Sequence, residues 1–102
     1  MSKRLEMLEL MTTKKPDDPF VWYARAMELR SLGRKDEALA AFADVTTRFP
    51  SYVPTYLMAG QVAAERGRPD EARRFAERGI DVAQRAGDAH AASELASFVA
   101  TL

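Results

Sequence analysis

The sequence predicts an all-α fold in which about six antiparallel helices stack as a solenoid. Three observations predict it. Alanine and arginine are abundant, whereas glycine and β-branched residues are few, and this composition favours helices. Landmark residues recur at an offset of 34 positions. No segment alternates apolar and polar residues with the period of two that is typical of a strand. The chain has 102 residues, which is the size of one domain.

The 34-residue offset aligns a whole series of landmarks, so it indicates an internal repeat. The matching pairs are Pro16 with Pro50, Trp22 with Tyr56, Ala26 with Gly60, Gly33-Arg34 with Gly67-Arg68, and Asp36-Glu37-Ala38 with Asp70-Glu71-Ala72. Glycine at the end of a helical pattern suits a left-handed residue that closes the last turn. Acidic residues three and four positions later suit the start of the next helix, because its dipole favours negative charge there. Each repeat is therefore expected to be a pair of helices.

The first predicted helix covers residues 2–13 and has one apolar face, made of Leu5, Leu8 and Met11. The second is expected over residues 19–32, after a pair of aspartates that can cap it and a proline that suits its first turn. These three residues are Asp17, Asp18 and Pro19.

The four remaining helices are expected over residues 35–48, 53–66, 69–86 and 88–101. In the third, Ala38, Leu39, Phe42 and Val45 are expected to face inward. Ser51 is a candidate cap for the fourth helix. Because the connections are short, neighbouring helices should pack antiparallel.

This pattern resembles the tetratricopeptide repeat, a 34-residue pair of helices. The family's landmark positions are all matched in the first repeat, by Trp22, Ala26, Gly33, Ala38, Phe42 and Pro50. The second repeat keeps Tyr56, Gly60, Gly67 and Ala72. It departs from the family pattern at two positions, where Ala76 replaces an aromatic residue and Gln84 replaces the proline.

The resemblance implies a right-handed α-α superhelix that forms a single domain over residues 1–102. Its expected parts are an N-terminal half-repeat cap at 1–16, full repeats at 19–52 and 53–86, and a C-terminal capping helix at 87–102. Terminal units of such a stack are modified because a repeat cannot bury its apolar face alone.

The resemblance also assigns a binding surface, since the first helix of each repeat lines a concave groove in this family. The positions that face the groove hold Phe20, Tyr23, Met27 and Arg30 in the first repeat, and Leu57 and Gln61 in the second. The spacing of the first four independently places them on one helical face. A groove with this apolar lining suits an amphipathic helix or an extended segment of another protein.

The family's carboxylate clamp for acidic C-terminal tails is not expected here. Its lysine, asparagine and arginine positions are occupied by Tyr23, Met27, Met58, Asp88 and Ala92, and none matches. The expected function is therefore that of a non-catalytic protein-binding adaptor with an apolar groove.

The use of the apolar stripe and of Arg30 remains open at this point. The apolar stripe can be covered by the chain's own C-terminal helix, or the groove or an end helix can form a homodimer. Arg30 can pair with an acidic group of a partner, although a solvated arginine is the more common arrangement. His90, the one histidine, is expected to pack in the capping helix rather than bind a metal.

Other functional classes are disfavoured by composition. The formal net charge is zero, which argues against nucleic acid as a partner. The absence of cysteine excludes thiol nucleophiles and cysteine-based metal sites. No apolar run approaches the roughly 18 residues of a membrane span, and the charged N-terminus does not resemble a signal peptide. We therefore expect a cytoplasmic protein that has no catalytic residues, no cofactor, no metal and no membrane contact.

Overall fold

The computed structural model describes residues 2–102, which form six helices and no strand. The helices are α1 (Lys3–Lys14), α2 (Pro19–Ser31), α3 (Lys35–Arg48), α4 (Pro54–Glu65), α5 (Pro69–Arg85) and α6 (Ala89–Ala100). Met1, the first residue of the predicted cap at 1–16, lies outside the described residues. The all-α prediction and the number of helices are confirmed.

Side-chain caps define the start of three helices. Ser2 Oγ accepts a hydrogen bond from the Leu5 amide at 3.0 Å, and Asp18 Oδ1 accepts one from the Phe20 amide at 3.0 Å. Asp88 caps α6 in the same way. These bonds satisfy amides that have no partner within the helix, and each helix begins and ends within one residue of its predicted bounds.

The predicted cap of α4 is wrong. Val53, not Ser51, is the residue that precedes this helix, and no side chain caps it. The chain enters α4 through a turn in which the Tyr52 amide donates to the Phe49 carbonyl at 3.0 Å. The helix then starts at Pro54, which has no amide hydrogen that would need a partner.

The turn inside each helix pair is closed by a glycine with positive φ. Gly33 has φ of 77° and Gly67 has φ of 72°. The residue after each glycine donates its amide back into the preceding helix, from Arg34 to the Leu29 carbonyl at 3.0 Å and from Arg68 to Ala63 at 2.9 Å. This six-residue closure is the Schellman arrangement, in which the left-handed residue is usually glycine. The helix-ending role predicted for both glycines is confirmed.

In each repeat, the first helix contacts the loop that precedes it, and this contact recurs at an interval of 34 residues. Trp22 Nε1–H donates to the Pro16 carbonyl at 2.9 Å, and the Tyr56 hydroxyl donates to the Pro50 carbonyl at 2.6 Å. Each aromatic residue therefore ties its helix to the loop that precedes it. The predicted division into two full repeats and two end units remains a proposal, which these matching contacts support.

The corresponding contact between an aromatic side chain and a loop carbonyl is missing at His90, which lies 34 residues after Tyr56. His90 is 86% exposed and lies 3.3 Å from Glu94 through its Nε2 atom. Gln84, which matches Pro16 and Pro50, is inside α5 rather than in a loop, so no loop carbonyl lies at the matching place. The expectation that His90 packs in the capping helix is therefore wrong.

The core runs along the stack, between successive helices. Phe42, Val45, Tyr56 and Val62 are almost fully buried. Alanines that are also fully buried let the helices cross closely, and they are Ala26, Ala38, Ala59, Ala63, Ala72, Ala76 and Ala83. Each helix packs mainly against its neighbours in the chain, and α6 also touches α4. The result is a right-handed α-α stack that measures 37 × 29 × 18 Å.

Candidate functional site

A concave groove crosses α2, α4 and α6, and it consists of three adjoining pockets. The N-terminal pocket lies between α1 and α2 and includes Phe20, Tyr23 and Met27. The central pocket lies between α2, α4 and α6 and shares Tyr23 with the N-terminal pocket. The C-terminal pocket lies between α4 and α6, includes Gln61, and shares Leu57 with the central pocket. The shared residues make the three pockets one continuous track.

The central pocket has the shape and lining of a side-chain site. Its volume is about 260 Å³, which is below the roughly 300–1,000 Å³ of pockets that enclose drug-sized ligands. Leu57, Met58 and Leu95 supply apolar surface, while Asp88 and Glu94 supply carboxylates on the α6 side. A pocket of this size can accept one apolar side chain of a bound segment.

The three predicted residues at the start of the groove have different surroundings. Phe20 is 60% exposed, so its ring is open to solvent. Tyr23 is half-buried and makes edge-on ring contacts with Phe42, at a centroid distance of 5.9 Å, and with Tyr52, at 5.5 Å. Burial raises the pKa of the Tyr23 phenol. Met27 also packs against the core. Tyr23 and Met27 thus belong to both the groove and the core.

Arg30 bridges α2 and α4. Its Nη1 donates to Gln61 Oε1 at 3.2 Å and approaches Met58 Sδ at 3.4 Å, while its Nη2 donates to Glu65 Oε2 at 2.8 Å. The side chain is only 23% exposed. In the structure, Arg30 is therefore partly buried and paired with Glu65 within the protein rather than fully solvated. Its role in partner binding remains a prediction.

Leu57 and Gln61 lie on α4 opposite residues of α6 that were not among the predicted site residues. Leu57 lines the same pocket as Leu95, and Gln61 lines the same pocket as Phe98. The repeat offset could have found this wall, because 34 positions beyond Leu57 and Gln61 stand Ala91 and Leu95. The α6 helix packs on α5 and beside α4, so it extends the groove as a third wall and does not lie across it.

A second exposed apolar surface lies on α1. Met7 is 64% exposed and Leu10 is 53% exposed, whereas Leu5 and Leu8 on the opposite side are buried. We call the pair Met7 and Leu10 the α1 outer face. It is separate from the concave groove, since neither residue lines any of the three pockets.

Residues 2–102 contain neither a metal-binding cluster nor a membrane-spanning helix. No group of three or more histidine, cysteine, aspartate or glutamate residues is arranged to hold a metal ion. None of the six helices combines the length and apolar character needed to cross a bilayer.

Comparison with solved structures finds proteins of the same architecture. A tetratricopeptide repeat domain protein from Salinibacter ruber is 34% identical, with a TM-score of 0.80, and the match covers 84% of this chain and 87% of that one. YrrB, described as a TPR protein with an unusual peptide-binding site, is 25% identical, with a TM-score of 0.75, over 91% of this chain and 46% of its own. The Yersinia enterocolitica type III secretion translocator chaperone SycD shares the fold, with a TM-score of 0.87 at 9% identity, over 96% of this chain and 74% of its own.

The sequence comparisons agree with this architecture at the level of the family. None of the curated proteins matches the chain. The family model described as tetratricopeptide repeat matches residues 29–96, which is two thirds of the chain. Proteins with this repeat are in general non-catalytic modules that bind other proteins or peptides. The chain belongs to the tetratricopeptide repeat family.

Proposed function

We propose that this protein is a non-catalytic adaptor that binds a helical or extended segment of another protein in its concave groove. The observation that carries the proposal is the continuous apolar track from Phe20 through Leu57 to Phe98. The peptide-binding site described for YrrB supports the assignment. The proposal includes no cofactor, no nucleic acid and no membrane.

The groove offers apolar contacts that are interspersed with polar side chains. Burying one leucine or phenylalanine side chain stabilises a complex by about 1.5–3 kcal/mol before the costs of ordering are subtracted. Met27 and Met58 add surface that adapts to differently shaped side chains. An apolar anchor in the central pocket, with further contacts on either side, is the binding mode that this lining favours.

Variants of two groove residues test the proposal, namely Phe20, which is exposed, and Leu57, which is half-buried at the edge of the core. Peptides selected from a random display library against the wild-type protein should bind Phe20→Ser and Leu57→Asp at least about tenfold more weakly, because each change removes apolar contact of about 1.4 kcal/mol or more. Fluorescence anisotropy with the selected peptides measures the change. Tyr23 is left intact because its ring also packs in the core.

Leu32→Ser is the matched control. Leu32 is also a large exposed apolar residue next to α2, yet it lines none of the three pockets. Peptide binding should survive this change, and circular dichroism should show the same helical content in all three variants. Equal binding by the groove variants and the wild type would contradict the groove assignment.

A second candidate function is homodimerisation, which the α1 outer face favours. Met7 and Leu10 lie on the side of α1 opposite its buried residues, so a two-fold partner can cover them with its own α1. We propose this dimer as the alternative role of the chain.

Sedimentation velocity across a range of concentrations tests the alternative. The wild-type protein should then show a concentration-dependent dimer, and Met7→Glu combined with Leu10→Glu should leave a monomer because it places like charges at the contact. A wild-type protein that stays monomeric at the highest concentration would eliminate the alternative without affecting the groove.

A further inference from the structure

We propose that the groove selects segments in which a basic residue lies next to the apolar anchor. This inference rests on the proposed function and adds the charge of the ligand. It comes from the distribution of ion pairs along the groove, which differs between the α2 side and the α6 side.

On the α2 side, the two arginines at the groove, Arg4 and Arg30, already have acidic partners. Arg4 Nε lies 3.3 Å from Glu28 Oε1. Glu65 is paired with Arg30 at 2.8 Å and with Lys35 at 3.8 Å. These charges neutralise one another within the protein, so this side offers little attraction to a charged ligand.

On the α6 side, the two carboxylates of the central pocket have no such partner. Within residues 2–102, no lysine or arginine nitrogen lies within 4.0 Å of Asp88 or Glu94. Asp88 Oδ1 accepts the Ala91 amide at 3.0 Å. In the described part of the chain, the one side chain that contacts the Glu94 carboxylate is the imidazole of His90, whose Nε2 lies 3.3 Å from Glu94 Oε1. The rim of the pocket is therefore negative.

The apolar floor and the negative rim are parts of the same pocket. Leu57 and Leu95 line it together with Asp88 and Glu94. A lysine or arginine of a bound segment can lay its aliphatic stem on the apolar surface while its charged end reaches the rim. A glutamate at the same place would meet like charge. The pocket thus distinguishes basic from acidic neighbours of one apolar anchor.

Three labelled peptides test this selectivity. Each is an alanine-rich helix with leucines at positions i and i+4, and the residues that flank them are lysine, glutamine or glutamate. Fluorescence anisotropy at low salt should rank their affinities as lysine above glutamine above glutamate. The lysine peptide should bind at least about fivefold more tightly than the glutamate peptide, and added salt should reduce the difference.

A charge-neutral double variant locates the effect. Asp88→Asn with Glu94→Gln should remove the ranking and keep the binding of the glutamine peptide, because asparagine still caps α6. The control, Glu77→Gln with Asp81→Asn, makes the same change of charge on exposed positions of α5 outside the groove, and it should keep the ranking.

The possible results separate this inference from the proposed function. If all three peptides bind equally and Leu57→Asp abolishes binding, the charge preference is wrong and the groove stands. If the ranking persists in the Asp88 and Glu94 variant, the preference comes from elsewhere and the inference is likewise overturned. If no designed peptide binds while the display-selected peptides do, the inference is overturned and the proposed function stands; if the display-selected peptides also fail, both are overturned.

Discussion

Two buried threonines differ in how their hydroxyls are satisfied. Thr46 Oγ1 donates to the Ala43 carbonyl at 2.7 Å. Thr55 Oγ1 is fully buried and has no hydrogen-bond partner in the described part of the chain. At the matching position of the first repeat, 34 residues earlier, stands Val21. An unpaired buried hydroxyl costs free energy that a methyl group of the same shape does not.

We therefore expect Thr55→Val to raise the free energy of unfolding by about 1 kcal/mol. The midpoint of urea denaturation measures the change. Thr46→Val is the matched control, since it removes a hydroxyl that has a partner, and it should give no gain. A lower midpoint for Thr55→Val than for the wild type would show that the hydroxyl is satisfied in solution.

Single residues were predictable from the sequence only when their neighbours are local. The spacing of Phe20, Tyr23 and Met27 predicted one helical face, and all three line the N-terminal pocket. The pairing of Arg30 with Glu65 was not predictable in the same way, because 35 positions separate them and only the packing of α2 and α4 on α3 brings them together.

At the scale of helices, the packing of α4 against α5 depends on Gly79. A β-carbon built on Gly79 would lie 2.5 Å from Tyr56 Cβ and 3.0 Å from Leu95 Cδ1. The Tyr56 side chain cannot easily move away, because it is buried and its hydroxyl is bonded to the Pro50 carbonyl. At Gly79, α4 and α5 therefore approach each other more closely than a residue with a β-carbon would allow.

Gly79→Ala should lower the free energy of unfolding by a net value of about 1–2 kcal/mol, since overpacking outweighs the higher helix propensity of alanine. Thermal and urea denaturation measure the loss. Gly60→Ala is the comparison. Its main obstacle is the end of the Phe98 ring, at 2.8 Å, which belongs to a half-buried side chain that can shift. A larger loss for Gly60→Ala than for Gly79→Ala would contradict this view of the interface.

The bounds of the helices were predictable because local chemistry defines them. Proline, capping aspartate and positive-φ glycine occur at their ends, and these signals act within a few residues. Two local predictions were wrong because the surrounding chain, and not the residue itself, determines the structure there. Ser51 was a plausible cap, yet the turn through Tyr52 starts the helix at Pro54 instead. His90 stands at an aromatic position, but the loop it would contact has become part of α5.

At the scale of the whole molecule, the groove exists because first helices of successive units lie side by side. Residues of α2, α4 and α6 line the central pocket together. The 34-residue offset predicted the stack, and the family resemblance implied the α2 and α4 walls of the groove. It did not show whether α6 covers the groove or extends it, because that depends on how the last helix packs on α5 and α4.

The central claim is that a bound segment occupies the concave groove, and amide chemical shifts of the isotope-labelled protein test it most directly. On titration with a display-selected peptide, the largest shifts should fall on the groove-facing residues of α2, α4 and α6, with Leu57 and Ala91 among them. Shifts confined to the exposed positions of α1, α3 and α5, with the three groove helices unchanged, would contradict the claim.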